Sequence, residues 1–136
     1  MKALLEIFLE YFDIFYLEPS YRITDSRTSG SAQMDASLVI SGPTLTWRLV
    51  NNRGQIQLAV APTELLAREN WFWLSVIRQY LDGDEDTIID ANSIEWLRNN
   101  VNRIEQLFTD QETAVHSCQD LNSLKEQIAS RLFGPP

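Results

Sequence analysis

Residues 42–62 read GPTLTWRLVNNRGQIQLAVAP, and this stretch decides the fold that we expect for the chain. Apolar side chains occupy alternate positions in both of its halves: Leu45, Trp47, Leu49, Ile56, Leu58 and Val60. The segment NNRG at residues 51–54 separates the two halves. A period of two on either side of a turn-forming segment predicts an antiparallel β-hairpin.

The register of this hairpin depends on where its turn is placed. A turn centred on Asn52 and Arg53 pairs Leu49 with Ile56, Trp47 with Leu58 and Leu45 with Val60. Each pair joins two apolar residues, so one sheet face is expected to pack in the core and the other, polar face to lie in water. A slip of one residue would expose every apolar side chain, so we expect the register to be well specified.

The segments before the hairpin predict one helix and two strands. Residues 2–12 carry apolar side chains at helical spacing: Leu4, Leu5, Phe8, Leu9 and Phe12. Residues 21–24 and Ala36–Ser41 are predicted strands, the first with Tyr21 and Ile23 on one face. Residues 25–33 lack apolar periodicity and are expected to form a surface loop. The four strands suggest a meander, in which the first pairs with the second or closes the other edge.

After the hairpin the apolar period becomes helical. Asn70 is a candidate N-cap for a helix over residues 71–81, and Asn92 or Ser93 for the next one. Two apolar stripes follow: Ile94, Leu97, Val101, Ile104 and Phe108 in one helix, and Val115, Cys118, Leu121, Leu124, Ile128 and Leu132 in a last helix within residues 111–133. We therefore predict one α+β domain over residues 1–136, with an N-terminal helix, a four-stranded antiparallel sheet, and two or three C-terminal helices packed on one face.

The charge balance narrows the possible partners. Nineteen acidic and eleven basic residues give a net charge of −8. This balance argues against binding nucleic acid or anionic membranes, because both need clustered Lys and Arg. It is compatible with a basic protein partner, or with an acidic surface that only keeps the protein in solution.

The sequence also predicts a compartment. Cys118 is the single cysteine, so no intramolecular disulfide can form and a reducing environment suits the chain. Glu6, Glu10 and Asp13 interrupt the N-terminal apolar run, so we do not expect a signal peptide there. No apolar run approaches the length of a membrane span. We therefore expect a cytoplasmic protein.

The sequence offers little catalytic chemistry. His116 and Cys118 stand two positions apart on a predicted helix and so point in different directions. We expect Cys118 to be a small core residue and His116 to be exposed, rather than a nucleophile pair. The common phosphate, dinucleotide and zinc-protease motifs are absent from the sequence. We predict a protein that is not an enzyme, with no catalytic residue, no cofactor and no bound metal ion.

An acidic loop after the second helix is the strongest charged feature. Asp82, Asp84 and Asp86 alternate like the start of a calcium-binding loop. Thr87 stands where such a loop needs glycine, and Ser93 where it needs a bidentate glutamate. A solvated connection, an irregular Ca²⁺ site and a protein contact all stay open.

We predict that the protein partner binds at this acidic loop. Asp82, Asp84, Glu85 and Asp86 place four carboxylates within five residues, and the sequence has no Lys or Arg between positions 78 and 98. Like charges repel, so a basic partner would relieve the crowding and would be steered to the loop.

A group of three aromatic residues offers a second possible contact. Trp71 and Trp73 flank Phe72, so an aromatic side chain is expected on every side of this turn of the predicted helix. Either one of the three stays partly exposed and anchors a partner, or all three are buried between sheet and helices.

The size, the acidity and the solitary α+β domain resemble the small immunity proteins of bacterial toxin systems, including those of contact-dependent inhibition. The segments that carry the resemblance are residues 45–58, LTWRLVNNRGQIQL, and residues 70–81, NWFWLSVIRQYL. The resemblance implies stoichiometric inhibition of a cognate toxin, often a basic nuclease. Immunity proteins share a role rather than one fold, so it assigns no functional residue. The alternatives are a secretion chaperone or adaptor that binds an effector segment, and a small-ligand-binding domain.

Overall fold

The computed structural model describes residues 2–13, 20–28, 36–52, 55–84 and 90–133. In this part of the chain there are four helices: α1 Lys2–Tyr11, α2 Leu74–Asp82, α3 Ala91–Leu107 and α4 Gln111–Phe133. There are five strands: β1 Arg22–Thr28, β2 Ala36–Ser41, β3 Leu45–Asn52, β4 Gln55–Pro62 and β5 Phe72–Trp73. Two 3₁₀ turns, Thr63–Leu65 and Arg68–Asn70, connect β4 to β5.

The strands form one antiparallel sheet in the order β1-β2-β3-β4-β5. This confirms the α+β class, the N-terminal helix and the meander, and it shows that the first strand pairs with the second. β1 extends to Thr28, so the expected loop over residues 25–33 is wrong at its start. An edge strand exposed on both faces needs no apolar alternation, because its pairing to β2 is made by the backbone.

The sheet has five strands rather than the predicted four. Phe72 pairs with Val60 and Trp73 with Ala59, so the segment expected to begin a helix at residue 71 is extended instead. Asn70 closes a 3₁₀ turn and donates from Nδ2 to the Leu65 carbonyl, rather than capping a helix. Large aromatic side chains suit a strand better than a helix start, and that preference prevails here.

The hairpin forms as predicted, but its register differs by two residues. Trp47 pairs with Val60, and Asn52 pairs with Gln55, leaving the undescribed Arg53 and Gly54 between them. A two-residue shift returns each side chain to the same face, so the apolar pattern is satisfied equally well. Alternation alone therefore fixes the face but not the partner across the hairpin.

All four helices contribute side chains to a single core on the apolar sheet face. Trp47 is 0% exposed and lies among side chains of the neighbouring strands and of the helices. Gly42 is needed beside this core, since a Cβ there would lie 2.4 Å from the Tyr21 ring.

The helical stripes are largely as predicted, with three exceptions. Leu5 and Leu9 are 38% and 52% exposed, because α1 buries only its Leu4, Phe8 and Phe12 side. On α4, Val115 is 41% exposed, while the small residues Ala114 and Ser117 are buried with Cys118. Small residues allow close helix approach, and apolar periodicity does not reveal them. The side chain of Leu132 lies outside the described ones.

The N-cap of helix α3 lies two or three residues earlier than expected. Asp90 is the N-cap: its Oδ1 accepts from the Ser93 backbone N–H at 2.9 Å, and the Asp90 N–H donates to Ser93 Oγ at 3.0 Å. This reciprocal capping box satisfies two backbone donors at the helix start. Ser93 is therefore part of the cap, but as its third helical residue.

Candidate functional site

The sheet face opposite the core has a row of side chains that crosses all five strands. The paired positions are Asp25, Val39, Arg48, Ala59 and Trp73. No described helix contributes to a core cluster on this side, since the buried cluster lies on the other face. We call this surface the open face.

The open face was expected to be polar and wet, and this is wrong for part of it. Thr46, Ala59 and Ala61 point to this side and are each 2% exposed or less. They are small, and the chain that returns from β4 to β5 lies next to them. The Thr46 hydroxyl is 2.9 Å from that of Thr63, which donates to the Gly42 carbonyl at 2.8 Å.

Trp73 is the large apolar side chain that the open face exposes. It is 39% exposed, whereas Phe72 is 0% exposed and joins the core. Trp71 is half-buried and extended, so alternation directs it to the same side as Trp73. Of the two expectations for these aromatics, partial exposure of one is therefore confirmed.

Arg48 lies beside these tryptophans. Its guanidinium carbon is 4.8 Å from the centroid of the Trp71 ring. The small Ala59, which pairs with Arg48, leaves room for the arginine to cross β4. Arg48 Nε is buried and has no hydrogen-bond partner among the described residues. A guanidinium placed over an indole ring is attracted by the electron-rich face of that ring.

Lys125 of α4 forms hydrogen bonds to the segment that carries Trp71. Lys125 Nζ donates to the Glu69 carbonyl at 3.0 Å and lies 4.8 Å from the Phe72 ring centroid. Desolvation lowers the pKa of Lys125 despite the nearby carboxylate of Glu69. Lys125 Nζ also donates to the Trp71 carbonyl at 3.5 Å, so α4 contacts the backbone before and after the Trp71 side chain.

The acidic loop, predicted as the partner-binding site, is partly neutralised by the protein itself. Asp82 Oδ2 accepts from Trp96 Nε1 at 2.7 Å, and its Oδ1 accepts from Arg103 Nη1 at 2.9 Å. Asp84 forms an ion pair with Arg78 at 2.9 Å. Glu85 and Asp86 lie outside the described residues. The structure therefore places two of the four predicted carboxylates in a network between α2 and α3.

The cations of this network come from neighbouring helical turns rather than from the loop. The last turn of α2 ends at Gly83, whose φ of 72° suits glycine and whose N–H donates to the Gln79 carbonyl at 2.8 Å. Arg103 on α3 then reaches Asp82, and the Arg78 guanidinium lies 5.7 Å from the Trp96 ring centroid. Hydrogen bonds from Trp96, then from Arg103, lower the pKa of Asp82.

The only cysteine and histidine are separated as expected. Cys118 is 5% exposed, and desolvation raises the pKa of its thiol. His116 is exposed and its Nε2 lies 3.4 Å from Asp120 Oδ2, which also accepts from the Tyr80 hydroxyl at 2.9 Å. Burial, followed by this hydrogen bond, raises the pKa of Tyr80. A buried thiol with a raised pKa is a poor nucleophile.

Within the described ranges, no group of three or more His, Cys, Asp or Glu side chains is placed to hold a metal ion. No helix in the described part of the chain combines the length and apolar character needed to cross a bilayer. A partly open pocket beside Phe108 and Ala114 has a volume of about 40 Å³. That volume holds a water molecule but not an organic substrate.

Comparison with family models, with curated proteins and with solved structures finds no match for this chain.

Sequence reasoning missed the open face for an identifiable reason. The alternation of the hairpin predicts Arg48 only as a polar residue on its solvent side, and the helical period predicts Trp73 on a helix. Their proximity depends on β5 returning beside β4. The available signal was the alternation of Trp71, Phe72 and Trp73, whose outer two residues share a side in an extended chain.

Proposed function

We propose that the protein is a small protein-binding module, and that Trp73, Trp71 and Arg48 on the open face form the centre of its binding surface. The observation that carries this proposal is the 39% exposure of Trp73 on a short strand beside the Arg48–Trp71 stack. A partly exposed tryptophan leaves apolar surface in contact with water. Contact with a partner would bury that surface and stabilise the complex.

The residue types support the same reading. Trp and Arg are enriched among the few interface residues that dominate binding energy. Here they are held by strands and by the Lys125 contact, so little side-chain entropy would be lost on association. An interface of standard size, about 800 Å² on each partner, extends well beyond these three residues.

We further propose that the role is that of an immunity protein, which binds and neutralises a cognate basic toxin in the cytoplasm. The resemblance of the chain to such proteins and its net charge of −8 support this role. The α2 helix, nine residues or roughly 13 Å long, separates Trp73 from Asp82. One interface can therefore include Trp73 near its centre and the acidic loop at its rim.

The test begins with the partner that co-purifies with the tagged native protein from its host. The purified pair is then compared for the wild type, Trp73→Ala and Val115→Ala. Val115 is the matched control, because it is similarly exposed, at 41%, but lies on α4. We expect Trp73→Ala to weaken binding by about thirtyfold or more, and Val115→Ala to change it little.

The immunity role has its own readout. Expression of the partner alone should stop bacterial growth, co-expression of the wild type should restore it, and Trp73→Ala should fail to do so. Equal affinity of the wild type and Trp73→Ala would refute the proposed surface. If the protein forms a stable dimer that binds an unfolded segment of the partner, the result would instead identify a chaperone.

A further inference from the structure

The open face differs in charge from the rest of the molecule. Residues 20–62 contain four arginines and two aspartates, whereas the remaining chain contains seven cations and seventeen acids. The sheet strands therefore carry a net positive charge within a protein of net charge −8. All four helices contribute side chains to the core cluster on the other sheet face, whereas Arg22, Arg27 and Arg48 lie on sheet strands.

Two of these arginines lack a carboxylate partner among the described residues. Arg22 pairs with Ser41 in the sheet register, which places it on the open face, two strands or roughly 10 Å from β3. Arg48 on β3 lies between Arg22 on β1 and Trp73 on β5 in the order of the strands. Its guanidinium lies over the Trp71 ring. By contrast, Arg27 is already paired with Asp25 at 2.8 Å.

We propose that Arg48 recognises a carboxylate on the protein partner, next to an apolar contact with Trp73. This inference rests on the proposed protein-binding function and adds the chemistry of the group that is bound. The Arg48 guanidinium lies over the Trp71 ring, and the outer N–H groups of a planar guanidinium match the two oxygens of a carboxylate. The partner is then basic where it faces the acidic loop and carries an Asp, Glu or C-terminal carboxylate where it faces β3.

A protein carboxylate fits this face better than a phosphate backbone does. Binding a nucleic acid depends on many cations along an extended path. The open face offers Arg22 and Arg48, while seventeen acids of the surrounding chain would repel a polyanion. A single carboxylate in an otherwise neutral or basic segment avoids that repulsion.

The test is a nuclear magnetic resonance titration of the whole ¹⁵N-labelled chain with two matched peptides. The probes are acetyl-Ala-Glu-Leu-amide and acetyl-Ala-Gln-Leu-amide, which differ in the carboxylate alone. The reporters are the Arg48 Nε–H signal and the Trp73 indole N–H signal. We expect both signals to shift together, with the glutamate peptide bound about three- to tenfold more tightly than the glutamine peptide.

Variants assign the effect to the arginine. Arg48→Gln should abolish the preference for the glutamate peptide while the Trp73 signal still responds to both. Arg48→Lys keeps the charge but not the planar pair of donors, and should retain only part of the preference. Because Arg48 is on a half-buried strand position, the thermal midpoint of each variant is measured first, and the variant that folds is used.

Three results would overturn the proposal: equal binding of the two peptides, no response of the Arg48 signal, or a preference that survives in Arg48→Gln. A thymidine pentanucleotide that shifts the same two signals at lower concentration would make the face a nucleic-acid site instead. None of these results depends on the Trp73→Ala comparison with the native partner. Loss of the carboxylate preference and loss of the protein-binding function are thus separate outcomes.

Discussion

Arg103 Nη1 on α3 donates to Asp82 Oδ1 at the end of α2, at 2.9 Å. The two residues are twenty-one positions apart, so no inspection of the acidic segment by itself reveals the pair. The contact joins α3 to the end of α2. It also neutralises Asp82, a carboxylate for which the acidic segment itself offers no cation. It changes what substitutions in the acidic loop should do.

We predict that Asp82 and Asp84 act on folding, whereas Glu85 and Asp86 act on association. Asp82→Asn with Asp84→Asn should lower the urea midpoint, because Arg103 and Arg78 lose their partners. Glu85→Gln with Asp86→Asn should leave that midpoint unchanged and slow association with the partner at low salt. Stopped-flow rates at several ionic strengths measure the second effect.

The outcome that contradicts this division is a Glu85→Gln, Asp86→Asn variant with unchanged association rate and salt dependence. The loop would then be a solvated connection. Neutralising all four carboxylates together should also lower stability, because the ion pairs of Asp82 and Asp84 are then lost.

We predict that the protein loses stability in acid, because Asp82 and the helix-capping residues Asp90 and Asp110 become protonated. Hydrogen bonds lower the pKa of Asp82, of Asp90 through Ser93, and of Asp110 through Thr113. A carboxyl whose folded pKa is depressed stabilises the fold above its unfolded pKa, and that contribution disappears as pH falls through the folded value. The unfolding free energy should therefore decrease below about pH 4.

Asp90→Asn provides the comparison for this pH dependence. Urea unfolding is followed from pH 7 to pH 3 for the wild type and the variant. The variant should be slightly less stable at pH 7, because the amide oxygen that then accepts from the Ser93 N–H is uncharged, and it should lose less stability in acid. Parallel curves for the two proteins would show that Asp90 does not contribute to the acid transition.

We predict that Trp47→Ser is severely destabilising. Trp47 is 0% exposed at the centre of the sheet, so the substitution removes a large buried aromatic and places a hydroxyl in the core. The expected loss is about 3–5 kcal/mol. Trp73→Ser is the control, since its 39% exposure should limit the loss. A cooperatively melting Trp47→Ser protein with an unchanged midpoint would disprove the core position.

We predict that Cys118 is structural. Burial raises the pKa of its thiol, so the thiolate is scarce at neutral pH and alkylation by iodoacetamide should be slow in native protein and fast in urea. Cys118→Ala should lower stability by about 1 kcal/mol and leave partner binding intact. Rapid labelling of the native thiol would be the opposite result.

The sequence by itself determined the central hairpin, the helices α3 and α4, and most of the residues that these elements bury. Alternation in residues 42–62 specified the hairpin, and the stripes from Ile94 to Phe108 and around Cys118 specified α3 and α4. These patterns are decided by the contrast between apolar and polar side chains along one segment, so they can be read without knowing the neighbours.

The tertiary structure decided which segments meet. Phe72 and Trp73 form a strand rather than the expected helix start, because backbone pairing with the edge of β4 adds to the strand preference of the two aromatic residues. The same pairing set Trp73 in the row that contains Arg48, and the packing of α2 against α3 supplied Arg103 to Asp82. The residues of both sites are far apart in the sequence. Residue spacing therefore reveals neither the Arg48–Trp73 row nor the Arg103–Asp82 pair.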